Sequence, residues 1–345
     1  MLQVIGIAIL AFVLYRAQRW FYQRYWAIGL SVNPRFARSN VMEGEQGELL
    51  LMIENRKWMP LPMLSVKFNT DRNLVFSGEK TKSGFTDRYY RNDVFQISGR
   101  EKITRTLSFQ AKKRGYYRIR EIDLLAQDLF LSTEMIGNLT CETFLYVYPK
   151  PFQQHDFQNS LQRLMGEALT KRHLIEDPFE FRMVREYQPY DDLRHVNWKA
   201  TARTQELMVN VRNYTSVKTI RIFLNLDDKG ILKKEDEIEA AIQVAVTVAQ
   251  NFLRLGMRVS CYTNGADLLD KRAVVVELGA GVGQMERIFR ALARLDLVTP
   301  TYDFTNSYRN MILKEAEGAF TFLIAPNVYT EFVTLMSEYM LTDED

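Results

Sequence analysis

TIRIFLNLDDKGILKKEDEIEAAIQVAVTVAQNFLRLG, residues 219–256, changes its apolar period part-way, and that change points to the architecture of the second half of the chain. Its opening, TIRIFLNLD, is nearly continuously apolar, and a strand apolar on both parities is one covered on both faces. From Glu235 the period changes. Ile238, Ala241, Ile242, Ala245, Val248, Phe252 and Leu255 recur at three- and four-residue steps, which places them on one face of a helix. Gly256 is positioned to end that helix, because glycine readily takes the left-handed backbone of a helix cap.

Downstream, MRVSCY (257–262), AVVVEL (273–278) and FTFLIA (320–325) read as further strands. GQMERIFRALARL (283–295) and residues 329–339 read as further helices. Buried strands alternating with amphipathic helices predict an α/β domain over residues 206–345, with a mostly parallel sheet covered on both faces. Functional loops in such sheets lie beyond the carboxyl ends of the strands. LMVNVRNY (207–214) alternates Leu207, Val209 and Val211 with Met208, Asn210 and Arg212, which predicts a strand entering this sheet. Residues 151–205 read as a polar linker, helical in character over 153–177, followed by a charged and aromatic motif.

Residues 29–150 follow a different pattern. ELLLMIEN (48–55), LSVKFN (64–69), ITRTLSFQ (103–110), YYRIREIDLLA (116–126) and FLYVY (144–148) are short β-rich runs parted by Gly, Asn, Asp and Pro. Tyr117 and Ile119 alternate with Arg118 and Arg120, as in half-buried antiparallel strands. The expectation is a β-sandwich of short strands. Its basic runs read as solvated strand faces. A net charge of +3 over 345 residues gives no electrostatic footprint for nucleic acid.

Residues 1–15 carry no side-chain charge, a run shorter than the roughly 20 residues a spanning helix needs. Trp20, Phe21, Tyr22, Tyr25 and Trp26 then follow, interleaved with Arg16, Arg19 and Arg24. Aromatic and arginine side chains suit the membrane–water interface. A cleaved signal would carry its charge before the apolar core, and here the order is reversed. Residues 1–28 are therefore expected to be an uncleaved membrane anchor with the soluble domains in the cytoplasm, where the arginines are retained. The two cysteines, Cys141 and Cys261, suggest no disulfide framework, and His155, His173 and His195 form no ligand pattern.

Two loops in the α/β region invite chemistry. In LNLDDKGI (224–231) an acidic pair follows the buried strand. ELGAGVGQMERIF (277–289) has the strand-to-helix context of a phosphate loop, but Gln284 stands where a glycine pattern needs glycine, and no GK[ST] follows. It reads as an ordinary connection. No GxSxG is present, and no catalytic residue, cofactor or metal is expected.

The motif is REYQPYDDLRHVNWKATAR, residues 185–203. Asp191 or Asp192 is placed to cap a short helix over LRHVNWKATAR, on which Arg194 and Trp198 fall four residues apart, the spacing of a cation–π contact. The pattern Arg185, Tyr187, Asp191, Asp192, Arg194, Trp198, Ala202, Arg203 resembles the signature of domain-of-unknown-function family 58, and the order of segments is similar along nearly the whole chain. Tyr190 stands where that family usually has glycine, and one membrane segment is read where two are common.

The resemblance implies an α+β multidomain chain: a membrane helix, a β-sandwich and a von Willebrand factor A-like α/β domain. In such domains an Asp-x-Ser-x-Ser loop holds a magnesium ion. Here only Asp227 matches, with Lys229 and Ile231 in place of the serines, and neither side chain offers a cation an oxygen. Asp227 is expected instead to pair with Lys229 or to cap the following turn. Family members are often encoded beside MoxR-type AAA+ ATPases. The expected function is thus a membrane-anchored scaffold or adaptor, not an enzyme, partnering such an ATPase in membrane or envelope-related assembly. Arg185, Tyr187, Asp191, Asp192, Arg194, Trp198 and Arg203 would form either a docking surface or an ion-pair and aromatic lock. The alternative is an enzyme or small-ligand binder using the Asp191, Asp192 and Arg194 cluster.

Overall fold

The structure, a computed structural model, describes residues 2–77, 88–170, 181–189, 191–212, 219–227, 234–299, 302–313, 319–327 and 329–342. It forms two compact units, Met1–Lys150 and Pro151–Asp345.

The first unit opens with helix α1 (Leu2–Tyr25). Nine strands follow: β1 (Leu30–Phe36), β2 (Asn40–Met42), β3 (Gln46–Asn55), β4 (Leu61–Asp71), β5 (Leu74–Phe76), β6 (Arg88–Ile97), β7 (Glu101–Ala111), β8 (Gly115–Gln127) and β9 (Glu134–Tyr148). They make two sheets, ordered β1-β3-β7-β5 and β2-β9-β8-β4-β6. Leu49, Leu51, Ile53, Val66, Phe68 and Phe109 are buried in one shared core. This is a β-sandwich with an apolar helix before it.

The strands are longer than the sequence runs suggested, since β8 and β9 form one hairpin of 13 and 15 residues. Its register slips between Ile119 and Glu121. The buried parity therefore changes from Tyr117 and Ile119 to Ile122, Leu124 and Ala126, which is how a bulge hides a strand's continuity. β1 and β6 escaped the sequence reading. β1 carries Pro34 and lies at a sheet edge, where proline's missing N–H does no harm.

α1 is long and apolar enough over Gln3–Tyr25 to cross a membrane, with a mean hydropathy of 1.4. Its carboxyl end is built into the sandwich. Tyr22 and Trp26 are buried in the sandwich core. The Tyr22 hydroxyl donates to the Pro60 carbonyl at 3.0 Å. The Trp26 ring lies over Gly137, where a β-carbon would sit 2.9 Å from it. Lys57 Nζ donates to the Trp26 carbonyl at 2.6 Å, and burial pushes its ammonium down to about 8.

The second unit comprises α2 (His155–Thr170), β10 (Phe181–Glu186), α3 (Trp198–Thr204), β11 (Met208–Arg212), β12 (Thr219–Leu224), α4 (Glu235–Arg254), β13 (Arg258–Asp267), β14 (Ala273–Gly279), α5 (Gly281–Ala293), β15 (Leu295–Asp296), α6 (Phe304–Leu313), β16 (Ala319–Ile324) and α7 (Thr330–Thr342). The main sheet runs β14-β13-β12-β16. β12 is parallel to both β13 and β16, while β14 is antiparallel to β13. On one face Phe223 and Tyr262 stack at 5.1 Å and pack with Phe304, Tyr308 and Phe332 of α6 and α7. On the other, Phe252 of α4 meets Phe322 of β16 at 5.4 Å.

The α4 face is as its spacing predicts, with Ile238, Ala241, Ile242, Ala245, Val248 and Phe252 buried. Gly256 takes φ +74 just past its end. The Gly256 and Met257 N–H groups donate to the Leu253 and Phe252 carbonyls at 3.0 and 3.1 Å, which satisfies the last turn. α6 was not anticipated. Its buried Phe304, Tyr308 and Ile312 repeat every fourth residue inside an otherwise polar segment.

One expected strand goes elsewhere. β11 does not join the main sheet among the described residues. It pairs antiparallel with β10 in a separate two-stranded ribbon.

Candidate functional site

The ribbon and the chain between its strands form a small module that holds the motif. Arg185 pairs with Val209 and Glu186 with Met208 across the ribbon. The Tyr187 N–H extends it by donating to the Leu207 carbonyl at 2.8 Å. Val196 bridges to Val209 and both are buried, while the Asn197 N–H donates to the Met208 carbonyl at 2.8 Å.

The pairing of Val196 and Asn197 with β11 splits the single helix expected over LRHVNWKATAR. A short 3-10 turn, Leu193–His195, is capped by Asp192. α3 follows, capped by Asn197, whose side-chain oxygen accepts the Ala200 N–H at 3.0 Å. Gln205, in the left-handed region at φ 63, caps the carboxyl end of α3.

Four charges of the motif pair among themselves. Arg185 clasps Asp191 with two bonds of 2.6 and 2.7 Å, and the Gln188 N–H donates to the same carboxylate at 2.8 Å. These charge-assisted bonds, led by the Arg185 guanidinium, hold Asp191 below the usual aspartate range. Asp192 accepts from the Arg194 side chain at 2.9 Å and from its N–H at 3.0 Å, and is lowered for the same reason. The expected Arg194–Trp198 spacing is therefore not helical, and Arg194 turns to Asp192 instead. Tyr187 is half-buried, Ala202 and Arg203 are exposed, and Tyr190 lies outside the described residues. Trp198 is 70% exposed and Leu193 63% exposed.

At the carboxyl end of β12 stands Asp227. Asn264, fully buried on β13, directs its side-chain N–H group at Asp227 Oδ1 at 2.8 Å, Asn225 Oδ1 at 3.1 Å and the Tyr302 carbonyl at 2.9 Å. Its carbonyl oxygen accepts the Leu226 N–H at 2.8 Å, and the Asp227 N–H donates to Asn225 Oδ1 at 2.9 Å. A neutral amide donor thus occupies the approach to Asp227 from the sheet, and amide hydrogens repel a cation. Lys229 and Ile231 lie outside the described residues. Among the described residues no His, Cys, Asp or Glu group gathers as a metal cluster.

Asn225 and Asn264 were missed from the sequence. The signal was there, in two asparagines embedded in apolar strand ends, since a buried polar residue implies a hydrogen-bonding task. Gln284, which breaks the glycine pattern, is also fully buried. Its amide donates to the Val259 and Glu277 carbonyls at 2.8 and 2.6 Å, tying α5 to β13 and β14.

Residues 183–324 match the family described as protein of unknown function DUF58. The matched segment begins inside β10 and ends with the last residue of β16, so it spans both the ribbon module and the main sheet. No curated protein matches the sequence. A non-cellulosomal cohesin from the archaeon Archaeoglobus fulgidus aligns at 10% identity and a TM-score of 0.25, over 38% of this chain and 97% of that one. A FixG-related protein from Vibrio parahaemolyticus aligns at 8% identity and a TM-score of 0.21, over 33% and 96% of the two chains. Likeness at these scores carries no argument about fold or function.

Proposed function

We propose that this chain is a membrane-anchored, cytoplasm-facing adaptor whose ribbon module docks a protein partner, a MoxR-type AAA+ ATPase, in membrane or envelope-related assembly. The observation that carries the reading is Trp198. An indole left this open, on a module whose aspartates are each held by an arginine, is the kind of rigid aromatic anchor that dominates binding surfaces. The lock and the docking surface are then two sides of one motif. Arg185 and Asp191 hold the module together, while Leu193, Trp198 and Arg203 face outward.

A von Willebrand factor A-like reading of the second unit is supported by the parallel core of its sheet, β13-β12-β16, to which β14 and the short β15 add antiparallel on β13, and by Asp227 at the end of β12. The amide at Asp227 favours a metal-independent engagement. Orientation follows the arginines after the apolar run. The enzyme alternative has less support. Asp191 and Asp192 are both lowered by their own arginines, whereas a general acid or base works best with its pKa near the operating pH.

The test is affinity purification of the tagged full-length protein from native membranes, as wild type and Trp198→Ala. An AAA+ ATPase retained by wild type and lost from a variant with an unchanged melting temperature supports docking. Absence of any ATPase with wild type removes the reading.

A further inference from the structure

The geometry of α1 raises a question of length. Residues 3–14 are exposed all round, and at 1.5 Å per residue they make about 18 Å of the candidate span Gln3–Tyr25. The hydrocarbon core of a bilayer is roughly 30 Å thick. From Tyr15 onward one face of the helix turns onto the sandwich, through Tyr15, Gln18, Arg19, Tyr22 and Trp26. If Gln3–Tyr25 spans the membrane, part of the sandwich beside Tyr15 lies at membrane depth.

What stands beside Tyr15 is the tip of the β8–β9 hairpin. The Tyr15 hydroxyl donates to Ser132 Oγ at 3.0 Å, and its ring lies 6.0 Å from that of Phe130. The tip exposes three consecutive large apolar residues, Leu129 at 51%, Phe130 at 62% and Leu131 at 57%. Such a run in water is an error of patterning unless something uses it. Leu131 also takes φ 57, a left-handed conformation that an exposed turn normally gives to glycine or asparagine.

The tip is held rigid from beneath. Asp128 is fully buried, and its carboxylate accepts the Ser132 N–H at 2.6 Å, the Ser132 hydroxyl at 2.7 Å and the Thr133 N–H at 3.1 Å. The Leu131 N–H closes the turn on the Asp128 carbonyl at 3.0 Å.

We infer that residues 129–131 insert into the lipid beside α1 and give the sandwich a second membrane contact. The occupant is lipid because the tip is continuous with the anchor helix itself. The next level down the helix fits the same frame. Phe21 lies about 9 Å along the axis from Tyr15, and its ring is 5.8 Å from that of the exposed Trp58. Trp20, Phe21, Tyr25 and Trp58 then form an interfacial aromatic belt, with Arg56 and Lys57 beside Trp58. Arg16 and Arg19 have stems long enough to reach headgroups from this depth.

This inference rests on the anchor reading of α1, and the experiment separates the two. Full-length protein in the Cys141→Ser background is labelled with an environment-sensitive fluorophore at Phe130→Cys, Leu10→Cys or Lys112→Cys, the last at the opposite end of the sandwich. Each is reconstituted in phosphatidylcholine vesicles containing a minority of phosphatidylglycerol. Quenching by doxyl-labelled lipid is compared with quenching by aqueous iodide, and Leu129→Cys repeats the tip measurement. The expected result is lipid quenching of the tip label comparable to that of the Leu10→Cys label, with the Lys112→Cys label quenched by iodide alone. A tip label open to iodide while the helix label is quenched by lipid overturns the inference and leaves the anchor. A tip label shielded from iodide but untouched by doxyl lipid overturns it in favour of a covering protein. If the helix label also escapes lipid quenching, the anchor reading fails and the inference falls with it.

Discussion

In the ribbon module a carboxylate is met by a cation, while at the strand ends of the main sheet a carboxylate is met by an amide. Asp191 and Arg185 sit where solvent still reaches the pair, with the arginine side chain 35% exposed. Asn264 is fully buried, and its one side chain serves four backbone and side-chain groups around Asp227. A half-exposed ion pair is screened and worth little, but a buried polar network is costly to break because the groups left behind find no water. The contacts at the strand ends are therefore the costlier ones to break, and the proposed docking surface sits on a module held by cheaper ones.

The sharpest way to break this contrast is Asn264→Leu. It orphans several buried polar groups at once, and about 3 kcal/mol of stability should be lost, read as a shift of the denaturant midpoint. A variant as stable as wild type would mean that the network is ornamental. Trp198→Ala comes second and should act on binding alone. A central aromatic anchor is worth about 2 kcal/mol, so partner affinity should fall about thirtyfold while the melting temperature stays put.

Asp296 is an intermediate case, a nearly buried carboxylate that nevertheless has a cation. Burial alone would raise it, but hydrogen bonds from Lys271, Thr299 and the Val298 N–H outweigh that and bring it down to about 2. A depressed carboxylate stabilises the fold above its unfolded value of about 3.9 and loses that stabilisation as pH falls toward 2. Asp296→Asn should therefore flatten the acid limb of stability between these values. The expected size is about 1 kcal/mol, because the Lys271 end is exposed.

The smallest effects belong to the motif's own pairs. Asp191→Asn should speed hydrogen exchange of the β10 and β11 amides without moving global unfolding. Asp192→Asn, on the more exposed pair, should do less still.

Much of the second unit was legible because its signals are periodic. The α4 stripe, the apolar run of β12 and the Gly256 cap all repeat or end within a few residues of one another, so local spacing suffices to read them. β1 and α6 were not legible, since a proline or a polar composition masks each within its own segment. The motif was visible as an unusual density of charge and aromatics, but not its arrangement. A helix from 193 to 203 agreed with every local preference, and it is split because Val196 and Asn197 pair with β11, more than ten residues away.

Local spacing along the chain was enough for the periods: an apolar helix, a run of strands, then strands alternating with helices, each set by side chains that are neighbours in sequence. Folding in three dimensions was needed to set which charges answer each other, to bring Asn264 to Asp227, and to stand the hairpin tip beside Tyr15. Asn264 and Asp227 are 37 positions apart and Tyr15 and Ser132 are 117 apart, while the charge pairs, though close in the chain, depend on how the ribbon folds the motif; none of these pairings leaves a period to be read.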